Sequence, residues 1–167
     1  MTVDEFITAE LSRPFSWGKS DCAAMADRWV QAVAGFSPMD LFGRRHRDEA
    51  EALEWLREPG SIAVAVNRVM RAAGFKKTAE PRIGDVGLVF HEGRLCVAIL
   101  AGSVWICRDE SGLIGVAPAA LWKAWRIECL RREWASLGRS APPYPGSPPP
   151  SPDCSGRSAP PRSAPPC

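Results

Sequence analysis

The sequence predicts an α+β domain, with N-terminal helices packed on a small antiparallel β-meander and a disordered C-terminal tail outside the fold. Two changes of pattern carry that reading. As far as Gly74, apolar residues recur at three- and four-residue spacing in runs that open on a capping residue and several of which close on glycine. After Pro81 the period becomes extended, in short apolar runs separated by glycine-containing turns. A third observation sets the boundary, because 11 of the 16 prolines fall in the last 30 residues, among Ser, Gly and Arg. That composition builds no core. The domain is therefore 1–137, and 138–167 is a Pro/Ser/Arg-rich disordered tail.

Taken in order, Thr2 to Leu11 reads as a short helix with Thr2 as cap and Glu5 at the capping-box position. Pro14 and Gly18 mark a loop, Ser20 is the expected N-cap of the next helix, and Met25, Ala26, Trp29, Val30 and Val33 form its apolar stripe up to Gly35. Phe36 to Asp48 reads as a connecting loop whose basic cluster around His46 is solvated. Asp48 caps a helix from Glu49 to Arg57, and Ser61 starts another that Gly74 closes. Strands are expected at Val86–Phe90, Leu95–Leu100 and Ser103–Cys107, and a polar turn over Asp109–Gly115. A short helix and a last strand at Ala124–Ile127 follow, then a helix from Leu130 to Leu137.

Composition narrows the function. The net charge of +2 lies wholly in the tail, which holds three Arg and one Asp, so the body is neutral and gives no electrostatic case for nucleic acid. No apolar run reaches the roughly 18 residues of a membrane span, and the N-terminus lacks the pattern of a signal peptide. A cytoplasmic or virion-associated protein is expected. Six cysteines show no C-x-x-C pair and no neighbouring histidine, so no metal site or cofactor is expected from spacing.

The stretch that carries chemistry is Asp21-Cys22. A thiol in the first turn of a helix meets unpaired N–H groups and the positive end of the helix dipole, which favour a thiolate. Cys22 is thus a candidate nucleophile, against the plainer alternative of a small buried apolar side chain.

Trp17-Gly18 with Asp21-Cys22, and Pro81-Arg82-Ile83-Gly84-Asp85, resemble the W/G-x-x-D-C start and the P-x-x-G-D strand entry of the NlpC/P60 branch of papain-like cysteine peptidases. The same segments, with RIGDVGLVF, the Gly112-Leu113 turn and a terminal AWRI, look like DUF6950, a family of phage and prophage proteins, over about residues 5–127. The resemblance implies a histidine and a third polar group on the strands after Gly-Asp, at about Cys96 and Cys107, and neither is histidine. A hairpin turning at Ala101-Gly102 sets Cys96 opposite Cys107 and on the face of Ala98. Three thiols, Cys22, Cys96 and Cys107, are then expected where a triad would lie.

Two readings follow. One is a pseudoenzyme, a papain-like domain without its general base that acts in phage-particle or tail assembly or in binding, with phage structural proteins or cell-wall peptide as partner. The other is an active cysteine hydrolase of cell-wall peptides or amides, in which His91 of the HEGR turn is a displaced base for Cys22. A weaker third takes the three thiols as ligands of a soft metal.

Overall fold

Residues 1–128 are described by a computed structural model. The expected tail, the helix over Leu130–Leu137, and Cys154 and Cys167 lie outside the described residues. Five helices precede a six-stranded antiparallel sheet: α1 Val3–Leu11, α2 Cys22–Ala34, α3 Pro38–Phe42, α4 Glu49–Arg57 and α5 Ile62–Ala72, then β1 Lys77–Thr78, β2 Val86–His91, β3 Arg94–Ala101, β4 Val104–Asp109, β5 Gly112–Val116 and β6 Leu121–Trp125. The sheet order is β1-β6-β2-β3-β4-β5. An α+β architecture with the helices first is as the sequence predicts.

Capping chemistry sets most helix starts. Thr2 and Glu5 close a reciprocal capping box on α1, and Asp48 and Ser61 cap α4 and α5. The N-cap of α2 is Asp21, one residue later than expected. Ser20 is engaged elsewhere, its hydroxyl donating to the Pro14 carbonyl at 2.6 Å. The expected loop 36–48 contains α3, which Ser37 caps, Pro38 opens and Gly43 ends with φ 70°.

The inner face of α1 carries Val3, Phe6 and Glu10, while Leu11 is exposed. Glu10 is enclosed because it holds Arg28 of α2 at 2.6 Å and Arg13 at 3.0 Å, with the Arg108 guanidinium of β4 at 3.9 Å. Arg108 in turn donates to the carbonyls of Arg13 and Glu10. One buried carboxylate thereby ties α1 to α2 and β4.

The sheet differs from expectation in register and extent. β3 and β4 pair as Ala101↔Val104 and Leu100↔Trp105, so the turn is Gly102-Ser103 and not Ala101-Gly102. Gly102 has φ 60°, and a two-residue hairpin places glycine at that first turn position. The predicted polar turn over 109–115 is mostly strand β5, with only Glu110-Ser111 left to turn. A single 3₁₀ turn, Pro118–Ala120, precedes β6, which starts at Leu121 and not at Ala124. The short edge strand β1 was not expected.

Gly84-Asp85 has a structural role at the entry to β2. Gly84 has φ 92°, its carbonyl accepts from Trp29 Nε1 at 2.7 Å, and a Cβ there would come within 3.1 Å of the indole. Asp85 is buried, accepts from the Arg82 and Ile127 amides and pairs with Arg126 at 3.1 Å. That carboxylate fastens the start of β2 to the end of β6.

Both faces of the sheet are buried. One packs on the helices through Val86, Leu88, Val97, Ile99 and Trp125 against Met25, Trp29 and Val30. The other gathers Val89, Ala98, Leu100, Trp105, Cys107, Val116 and Ala124. Gly87, paired with Ala98, leaves room there for the Trp105 ring: a Cβ on Gly87 would lie 2.7 Å from it.

Candidate functional site

Cys22 is the first residue of α2, as the sequence predicts, and it packs into the core between helices and sheet. Asp21 organises the surroundings. Its carboxylate accepts from the Ala23 and Ala24 amides at 3.0 Å each, from the Gly18 amide, and is bonded to His46 Nε2 at 2.9 Å. Gly18 has φ 73°, and a Cβ on it would sit 1.9 Å from the His46 carbonyl, so the W-G pair is the seat on which the His46 loop rests. Trp17 lies between Phe15 and His46, with ring centroids 5.5 and 6.3 Å away.

His46 is therefore not solvated: its side chain is 10 % exposed. The loop is brought back by α3, which buried Asp27 of α2 anchors by accepting from the Ser37 hydroxyl at 2.7 Å and the Met39 amide at 2.9 Å. The Asp21 hydrogen bond raises the His46 pKa against burial. Burial alone would raise Asp21, but the His46 bond and the Ala24 and Gly18 amides outweigh it and hold the carboxyl below its ordinary value.

The thiol itself is the reverse of an activated nucleophile. Burial pushes Cys22 from its ordinary 9.0 up to about 12, helped by the negative charge of Asp21. A helix dipole contributes about 0.3–1 kcal/mol, less than one pH unit, and desolvation wins. What lies across from the sulfur is the backbone of Val97, and no histidine is hydrogen-bonded to it.

Cys96 and Cys107 act on each other most strongly, and Cys22 lies near enough to both for charge to act between them. Cys96 packs with Ala98 and Cys107 on the sheet face turned away from α2, whereas Cys22 packs with Val97, Leu95 and Ile99 on the near face. Ala98 therefore faces away from α2. With the turn at Gly102-Ser103, the β3–β4 pairing ends at Ile99↔Ile106, before it reaches either Cys96 or Cys107. Both thiols belong to one apolar cluster, where hydrogen bonding between them lowers Cys96 to about 7 and, with burial, raises Cys107. Among the described residues no group of three or more His, Cys, Asp or Glu side chains is arranged to hold a metal ion. His91 ends β2 opposite Arg94, on the face of Val89, and makes no hydrogen bond with a described residue.

A cleft of about 850 Å³ opens between α2, α3, α4, α5 and β3. Trp17, Asp21, Cys22, His46 and Cys96 line it; His91 and Cys107 do not. Its walls are mainly apolar because α4 buries none of its residues and, with α5, leaves Leu53, Leu56, Ile62 and Val66 facing the opening. Pockets of this size and character are where proteins take ligands.

A family described as Domain of unknown function (DUF6950) matches residues 2–127. The chain belongs to DUF6950. The match spans every described element, from the α1 cap through β6 and the Ile127 amide on Asp85. No curated protein and no solved structure matches this DUF6950 chain. No helix among the described residues is long and apolar enough to cross a membrane.

Proposed function

We propose that this DUF6950 chain is a non-catalytic domain of papain-like type that acts by binding, in the assembly of a phage- or prophage-derived particle, with the cleft beside Cys22 as its contact surface. One observation carries the reading: the residue at the nucleophile position is a half-buried thiol whose desolvated sulfur is held protonated up to about 12, beside the Val97 backbone and with no histidine hydrogen-bonded to it. The cleft supports it, because its apolar walls and its Trp17 and His46 rim suit a polypeptide segment of a structural protein.

A hydrolase using Cys22 with His91 would need the ring within hydrogen-bond reach of the sulfur. His91 stands outside the lining of that cleft. The test is incubation of the full chain with a cell-wall stem peptide, followed by mass spectrometry and by the fluorescence of Trp17 and Trp55 in the cleft. The expected result is no cleavage. Cleavage lost in Cys22→Ala would overturn the reading, and saturable quenching without cleavage would make cell-wall peptide, rather than a particle protein, the ligand.

A further inference from the structure

We propose that Cys96 and Cys107 are a thiol modification site independent of Cys22, in which hydrogen peroxide oxidises Cys96 and Cys107 then closes a disulfide between β3 and β4. Neither this chemistry nor its test depends on what the cleft binds. Two features of the fold carry it.

The first is placement. Cys96 is half-buried and packs against the apolar cluster that holds the nearly enclosed Cys107, on the same face of the sheet. His91 of β2 and Asp109 of β4 lie close enough to act on Cys96, with opposite effects: the histidine favours the thiolate and the carboxylate opposes it. The Cys107 thiol also favours the Cys96 thiolate, which gives the pair one nucleophile and one protonated neighbour. Cys22 packs on the other face of the sheet and has no thiol hydrogen-bonded to it, although it lies near enough to Cys96 and Cys107 for their charges to act on one another.

The second is freedom to close. The β3–β4 pairing runs from Ala101↔Val104 only to Ile99↔Ile106, and beyond it β4 is paired with β5 alone. A disulfide needs Cβ atoms about 3.5–4.5 Å apart. No β3–β4 ladder bond fixes the spacing of the two cysteines, each strand being held there only by its outer neighbour. Closure would also act on the cleft, since Leu95 and Val97 on either side of Cys96 line it.

The chemistry balances in two steps. The Cys96 thiolate attacks one peroxide oxygen, the S–O bond forms as the O–O bond breaks, and the leaving hydroxide takes a proton to become water. The Cys107 sulfur then attacks the Cys96 sulfur, the S–S bond forms, and the sulfenic oxygen leaves as water with the Cys107 proton. Two thiols are oxidised and one peroxide is reduced.

Both cysteines fall in one tryptic fragment, because no Lys or Arg lies between Arg94 and Arg108. The full chain is exposed to equimolar hydrogen peroxide at neutral pH, unfolded in urea, alkylated with iodoacetamide, digested and weighed. The expected fragment 95–108 is two hydrogens lighter and carries no alkyl group, while Cys22 is still alkylated. Recovery of the fragment doubly alkylated, earlier loss of Cys22, or a bridge from Cys96 to any other cysteine would overturn the proposal. In Cys107→Ser, dimedone should label a sulfenic acid at Cys96, and no label there would also overturn it. If that variant does not fold, the wild-type fragment decides the question by itself.

Discussion

Replacing Asp21 by alanine removes four bonds at once, and their separate values set the expected loss. The two cap bonds to Ala23 and Ala24 contribute about 1 kcal/mol together, within the range of 0.5–2 for an N-cap. The bond to the mostly buried His46 ring is charge-assisted and is worth about 1.5–3 kcal/mol. These sum to roughly 3 kcal/mol, with the Gly18 amide as a further loss. At a urea slope of about 2 kcal/mol/M the unfolding midpoint should fall by about 1.5 M. Asp21→Asn separates the contributions, since asparagine caps as well as aspartate but gives up the charge, so it should cost only about half as much. A cycle with His46→Ala should show a coupling of about 1–2 kcal/mol. A loss under about 1 kcal/mol for Asp21→Ala, or no coupling, would refute the claim that this carboxylate organises the site.

The same pair sets a pH dependence. The raised pKa of His46 contributes stability that is complete below about pH 6.5 and is lost as pH rises through the folded value; the lowered pKa of Asp21 contributes stability above about pH 4 that is lost as pH falls through its folded value. His46→Ala should therefore cost more in urea titrations at about pH 5.5 than at about pH 8.5, and an equal cost at both would contradict the ion pair. Gly18→Ala, which combines positive φ with a Cβ set 1.9 Å from the His46 carbonyl, should cost about 1–3 kcal/mol and free the His46 ring. Its histidine NMR titration should then move toward the ordinary value, and an unmoved titration would count against the contact. Gly87→Ala drives a Cβ to 2.7 Å from the Trp105 ring and should destabilise by about 1–3 kcal/mol, read by thermal unfolding.

Much of the helical half was legible because capping is local chemistry: Thr2 with Glu5, Asp48 and Ser61 each act within three residues of themselves. Ser20 and Asp21 are equally good caps by type, and the choice between them rests on the Pro14 carbonyl that occupies Ser20. Helix α3 has five residues and too little length to show a period. The phase of β3 was hidden for a different reason. Leu95 to Leu100 is an unbroken apolar run because both faces of the strand are buried, so alternation is present without saying which face meets α2. The hairpin turn lies one residue later than the apolar runs suggest, and the β3–β4 pairing that would fix the Cys96–Cys107 relation ends before it reaches them. His46 escaped because its partner Asp21 is 25 residues away and its neighbours Arg44, Arg45 and Arg47 give the segment the look of a solvated basic cluster. The anchoring of that loop by Asp27, through Ser37 and Met39, has no sequence signature at all.

The most direct test of the binding account is the order in which the cysteines of the native full chain alkylate. Iodoacetamide at about pH 6.5 reacts with thiolate, so a thiol held protonated by burial waits while one favoured by its neighbour proceeds. The account predicts that Cys96 is labelled well before Cys22, with Cys22 unlabelled until the chain is unfolded. Prompt labelling of Cys22 at that pH, ahead of Cys96, would mean an activated nucleophile at the start of α2 and would contradict the account.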